Sequence, residues 1–143
     1  MNKQDDKINI RMANGKKEIF DPVRHRYVSC TAEEEVRQTY LHYLIRILNV
    51  PPIAISVEKK IKYHQLDRRY DIVVFSKEQC LLVVECKSPD IDLSEDTLFQ
   101  IATYNHVLQA KYVVLFNGKQ ELICKKENDI YFPCEKLPSY EEM

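Results

Sequence analysis

Two apolar runs joined by a short polar link constrain this chain more than any other stretch. Tyr70-Asp71-Ile72-Val73-Val74-Phe75 and Leu81-Leu82-Val83-Val84-Glu85-Cys86-Lys87 are rich in β-branched and large apolar residues. Both predict strands with at least one buried face. The link Ser76 to Cys80 is polar and five residues long, a size that suits a hairpin loop. Folding the arms about Glu78 sets Asp71 opposite Glu85, Val73 opposite Val83 and Phe75 opposite Leu81. Side chains alternate along a strand, so Asp71, Glu85 and Lys87 are expected on one face. Two carboxylates across an antiparallel pair have Cβ atoms about 4.5–5.5 Å apart, and like charges so placed are destabilising. A divalent cation together with the Lys87 ammonium would offset them, which makes the hairpin a candidate metal site.

With 143 residues the chain predicts one domain with a single core. A composition that is 45% hydrophobic and 30% charged, with only 2 Gly, is that of an ordered protein rather than a disordered tail. The formal net charge of -1 does not advertise nucleic-acid binding, but a neutral total is compatible with a basic face opposite an acidic one. The five cysteines (Cys30, Cys80, Cys86, Cys124, Cys134) are odd in number, and none stands at zinc-ligand spacing. This predicts a reducing, cytoplasmic compartment. No apolar stretch resembles a signal peptide or reaches the ~20 residues of a membrane span, so a soluble protein without membrane association is expected.

Residues 1–17 are polar and predict a flexible N-terminal arm ahead of a single domain over 18–143. Glu18-Ile19-Phe20 and Arg26-Tyr27-Val28, around Asp21-Pro22, suggest a small hairpin that covers one end of the core. Thr31 and Glu34 have the spacing of a capping box. Val36, Tyr40, Tyr43, Leu44, Ile47 and Leu48 then form a stripe at helical period, closed by Pro51-Pro52. Capping would occupy Glu34, which leaves Glu33, on the side of Val36 and Tyr40, as the acid expected to face inward. Ile53 to Tyr63 reads as a strand. The stretch Lys59 to Arg69 carries Lys59, Lys60, Lys62, His64, Arg68 and Arg69 against one acid, Asp67. Such a run suits either a solvated edge strand or a phosphate-binding edge. Its place beside Asp71 makes Lys60, Lys62, Arg68 and Arg69 candidate DNA contacts.

A second helix is expected from Ser94 or Glu95 to Ala110, with Leu98, Ile101, Ala102, Asn105 and Leu108 on one face. Gln100 and Tyr104 are four apart and adjacent on another. Tyr112 to Phe116, a turn at Asn117-Gly118, Leu122-Ile123-Cys124 and Ile130-Tyr131-Phe132 complete the strands. The helix between parallel strands makes this an α/β sandwich on a central mixed sheet flanked by helices, with an αβββαβ core. Asp71, Glu85-x-Lys87, an acidic helix start and Gln100-x-x-x-Tyr104 together suit phosphodiester hydrolysis. Carboxylates holding Mg²⁺ acidify a water and screen phosphate oxygens, and a nearby lysine positions or deprotonates that water.

These residues also resemble a known family. Arg69-Tyr70-Asp71-Ile72-Val73-Val74, Leu82-Val83-Val84-Glu85-Cys86-Lys87-Ser88-Pro89 and Gln100-Ile101-Ala102-Thr103-Tyr104-Asn105 resemble the PD-(D/E)xK nuclease superfamily, RecB-like branch. They are most similar to the N-terminal nuclease domain of type I restriction enzyme R subunits in its stand-alone form. Ile19-Phe20-Asp21-Pro22, Thr31-x-Glu33-Glu34-x-Val36-Arg37-Gln38 and Asn117-Gly118 extend the resemblance over nearly the whole chain. Tyr70 replaces the proline of the motif name. The resemblance implies a restriction-endonuclease-like fold and a Mg²⁺-dependent (Mn²⁺ as substitute) DNA endonuclease. Asp71 and Glu85 would be metal ligands, Lys87 the catalytic lysine, Gln100 and Tyr104 a supporting pair, and Glu33 the first-helix acid. It also implies DNA and a helicase or translocase motor or a specificity subunit as partners, and double-strand cutting would need two sites, which points to a homodimer. A catalytically silent DNA-binding or partner-docking module with the same fold is the alternative.

Overall fold

The computed structural model describes residues 8–63, 66–104 and 108–143, with the backbone alone at 61–63 and 66–68. Three short strands come first: β1 (Ile10–Ala13), β2 (Lys16–Asp21) and β3 (Arg26–Ser29) form an antiparallel meander. The hairpin of β2 and β3 is as expected. Asn14 and Gly15 take left-handed φ of 52° and 75° and turn the chain back, so Ile10–Ala13 pairs with β2 instead of trailing as an arm.

Helix α1 (Ala32–Arg46) starts at Thr31, whose side chain accepts the Glu34 N–H. It ends before the prolines. Asn49 in the left-handed region and a Val50 N–H bond to the Leu44 carbonyl stop it there. Val36, Tyr40, Leu44 and Leu48 are buried as the stripe predicts, whereas Ile47, past the last turn, is exposed. A short 3₁₀ turn over Pro52–Ala54 delays the next strand.

The central sheet has six strands in the order β4 (Ile55–Tyr63), β5 (Leu66–Ser76), β6 (Gln79–Cys86), β7 (Tyr112–Phe116), β8 (Glu121–Glu127) and β9 (Ile130–Cys134). Only β6 and β7 run parallel, joined by a crossover through α2 (Glu95–Tyr104). This is the mixed sheet the helix–strand order predicts. The expected continuation of α2 toward Ala110, with Asn105, falls partly outside the described residues.

One helix packs on each face of the sheet. Val36, Tyr40 and Leu44 of α1 meet Ile72, Val74 and Val84, and Leu98 and Ala102 of α2 meet Val73, Val83 and Val113. In the middle of β5 and β6, Ile72, Val74, Leu82 and Val84 thus belong to one core and Val73 and Val83 to the other. Burying each such side chain contributes about 1.5–3 kcal/mol, which makes these central strands the frame of the molecule.

The meander is fastened to this frame through Asp21, which has 0% exposure. Its carboxylate accepts the N–H groups of Val23 and Arg24 at 2.7 Å each, Arg24 Nε at 2.7 Å and Gln38 Nε2 of α1 at 2.8 Å. Burial raises its pKa, but these donors outweigh burial and hold it below the ordinary carboxylate value. A depressed pKa supplies stability that is complete above the ordinary value and disappears as pH falls through the folded one. Asp21→Asn is therefore expected to cost about 1.5–3 kcal/mol at pH 7. The gap to wild type should close below about pH 4. Urea midpoints measured from pH 7 to 2 check this, and a gap constant with pH would contradict it.

Candidate active site

β5 and β6 pair with Val73 opposite Val83 and Ile72 opposite Val84, the register that places Asp71 across from Glu85. At the turn end the expectation needs correction. A register shift between Val74 and Phe75 pairs Phe75 with Cys80, not Leu81, and Ser76 with Gln79. The loop is therefore two residues, Lys77 and Glu78, with Lys77 at φ 56°.

At the other end the ladder gives way to side chains. The Asp71 carboxylate accepts the Cys86 N–H through Oδ2 at 2.8 Å, and the Glu85 carboxyl group lies within reach of Asp71. Asp71 thus supplies a carboxylate oxygen where β5 would otherwise supply a carbonyl. Alternation also breaks here. Tyr70 joins the α2-side core with Val73, while Ile72 and Val74 join the α1-side core. This kink turns the half-buried Asp71 toward α1. There Arg37 Nη2 donates to its Oδ1 at 3.0 Å.

Glu85 is the group most affected by its surroundings. Burial first, then the Asp71 charge and the hydrogen bond to it, push its pKa up to about 8, and Lys87 works in the opposite direction. The hairpin therefore brings Asp71, Glu85 and Lys87 within electrostatic range of one another.

An ion-pair chain that the sequence does not announce surrounds Asp71. Arg37, nearly buried, pairs through Nη1 with Glu34 and at 3.7 Å with Glu58. Arg24 in turn pairs with Glu34, with Asp21 and, at 3.4 Å, with Glu58. Burial disfavours the Arg37 cation, but the Asp71 hydrogen bond and the charges of Glu34, Asp71 and Glu58 more than restore it. Glu58 sits at the point of β4 where pairing with β5 skips from Val57–Ile72 to Lys59–Tyr70. Its φ of 56° is uncommon for a residue other than glycine and costs on the order of 1 kcal/mol. Its carboxylate gains Arg24, Arg37 and Arg69 as partners. The one sequence signal for this chain was the spacing of Glu34 and Arg37, three apart on a helix.

The first-helix acids exchange the roles expected of them. Glu34 is buried, and its carboxylate goes to Arg24 and Arg37 rather than back to the cap. Glu33 is exposed, not inward. It lines a polar cleft with Arg24, Thr31, Glu34, Arg37 and Glu58, and its charge reaches the buried Cys86 thiol, which burial and then Asp71 hold above its ordinary pKa. It therefore lies at the rim of the ion-pair chain. Gln100 and Tyr104 are exposed on α2, and among the described residues no hydrogen bond links Gln100 to Asp71, Glu85 or Lys87. Of the candidate DNA contacts, Lys60 and Arg69 are exposed and pair in register across β4 and β5. Arg69 also bonds Glu58 at 3.4 Å. The side chains of Lys62 and Arg68 lie outside the described residues.

Among the described residues no three His, Cys, Asp or Glu side chains converge as a metal cage. Two contiguous carboxyl groups are nonetheless a fitting donor set for Mg²⁺, which commonly takes one or two carboxylates and fills its octahedron with water and phosphate oxygens. No described helix is long and apolar enough to cross a membrane. No curated protein matches the chain. The family model described as type I restriction enzyme R protein N terminus matches residues 32–138, a span that holds both helices, all six strands of the central sheet and every carboxylate of the site except Asp21. The chain belongs to that family.

Proposed function

We propose that the protein is a metal-dependent DNA endonuclease module of the restriction type, with Asp71 and Glu85 holding a Mg²⁺ ion. The observation that carries this reading is the placing of these two half-buried carboxyl groups across from one another on the β5–β6 hairpin, with Lys87 beside them. Membership of the restriction-subunit family supports it. When bound, the ion would supply Lewis acidity and neutralise phosphate charge. Glu85, whose pKa burial raises, would release its proton on holding such a cation. Asp71 keeps its orientation through the Cys86 N–H and Arg37. Lys87, half-buried, is placed to orient a water or to donate to a phosphate oxygen. Glu33 at the rim adds acidic charge. Gln100 and Tyr104, on the exposed face of α2, are assigned to substrate contact rather than to the carboxylates.

Lys87→Met is expected to abolish nicking of supercoiled plasmid in Mg²⁺ or Mn²⁺ while most DNA affinity remains. Retained nicking would remove Lys87 from the chemistry. The hairpin of β4 and β5 is the proposed DNA edge, with Lys60, Lys62, Arg68 and Arg69. The double variant Lys60→Glu, Lys62→Glu should weaken binding at every sequence. It should also lower the slope of log K against log salt by about 1–2, since each phosphate contact contributes about 0.9. An unchanged slope would make this strand a solvated edge.

A second reading, a catalytically silent DNA-binding or partner-docking module, draws on one observation: Arg37 already neutralises Asp71 without a metal ion. Plasmid nicking by wild type separates the two. Under either reading the proposed partners are DNA and a motor or specificity subunit.

A further inference from the structure

The meander of β1–β3 and the turn carrying Arg24 lie before the family match, which begins at residue 32. Arg24 nevertheless enters the ion-pair chain that ends on Asp71. We infer that Arg24 is a positioning residue, and that the meander braces the proposed metal-binding carboxylate through Glu34 and Arg37.

Arg24 uses all three guanidinium nitrogens: Nε on Asp21, Nη1 on Glu58 and Nη2 on Glu34. Glu34 divides its two oxygens between Arg24 and Arg37. Arg37 divides its two Nη groups between Glu34 and Asp71, and its buried Nε has no partner among the described residues. Apart from Asp71 itself, the Arg37 guanidinium is therefore oriented from its far end only, by Glu34 and Glu58, which Arg24 also bonds. Asp71 is held at both oxygens, by Arg37 and by the Cys86 N–H at 2.8 Å. The terminal carboxylate torsion is intrinsically broad, so loosening the Arg37 contact frees the group to rotate and shortens the life of the other. A planar fork suits this three-way bridge and an ammonium does not.

The geometry stands by itself, while its consequence for cation affinity rests on the proposed metal site. The test uses the full chain with Arg24→Met and Arg24→Lys. Amide exchange is followed by NMR well below the melting temperature, and Mn²⁺ affinity is measured on the same samples. Arg24→Met should lower protection of the Cys86 amide about tenfold, the scale of coupling within one ion-pair network. Protection at Val83, inside the β6 ladder, should stay unchanged, Mn²⁺ should bind several-fold more weakly, and Arg24→Lys should fall between. Unchanged Cys86 protection, or a loss equal at Cys86 and Val83, would overturn the brace. If Arg24→Met does not fold, Arg24→Lys carries the same comparison. Wild type that binds no Mn²⁺ would remove the metal site and leave the brace to be decided by Cys86 and Val83.

Discussion

Arg37→Met is expected to destabilise the protein by about 3–5 kcal/mol, because removing one partner of a buried pair leaves uncompensated charge behind. Asp71 loses its guanidinium partner, Glu34 loses one of two and Glu58 one of three. Domains of this kind are stable by only about 5–15 kcal/mol, so the variant should approach unfolding at physiological temperature. A fall in the urea midpoint with an unchanged slope is the expected signature. Adding Asp71→Asn to Arg37→Met should cost less than Asp71→Asn costs in wild type, since the pair is already broken. A loss below about 1 kcal/mol would mean that the network is a solvated surface cluster, for which such values are usual.

The second large effect separates two carboxylates that look equivalent in sequence. Asp71→Asn removes the acceptor of Arg37 and weakens the bond to the Cys86 N–H. It should lower stability by about 1.5–3 kcal/mol, the range for hydrogen bonds to charged groups. Glu85→Gln removes a carboxyl group that burial and Asp71 both disfavour as a charge. It should leave stability equal or higher. Both variants should abolish metal-dependent cleavage. Thermal melts of the two side by side check the sign, and equal destabilisation by both would contradict the division of roles.

The sheet was legible because its strands obey simple periods. Val73 opposite Val83 and the parallel entry of β7 follow from apolar runs, turn residues and one crossover helix. The departures share physical causes. Ile10–Ala13 lies in a stretch, residues 1–17, that is polar as a whole, yet a left-handed turn at Asn14-Gly15 lets it pair with β2. The shift at Phe75 is a local irregularity that no alternation pattern encodes.

The candidate site divides the same way. Asp71, Glu85 and Lys87 were visible because they are close in a hairpin. Arg24, Glu34, Arg37 and Glu58 come from a turn, a helix and a neighbouring strand, and only tertiary packing brings them to Asp71. Glu34 illustrates the competition: a capping box offers its carboxylate an exposed backbone N–H, whereas two guanidinium groups offer charged hydrogen bonds. The stronger donors win, and Glu33 is left at the rim.

Calorimetric titration of Mg²⁺ and Mn²⁺ into wild type, Asp71→Asn and Glu85→Gln decides whether the two carboxylates hold a metal ion. Wild type should bind one ion with proton release near neutral pH, and both variants should lose binding. Binding of equal strength in all three proteins, or no binding in wild type, would contradict it.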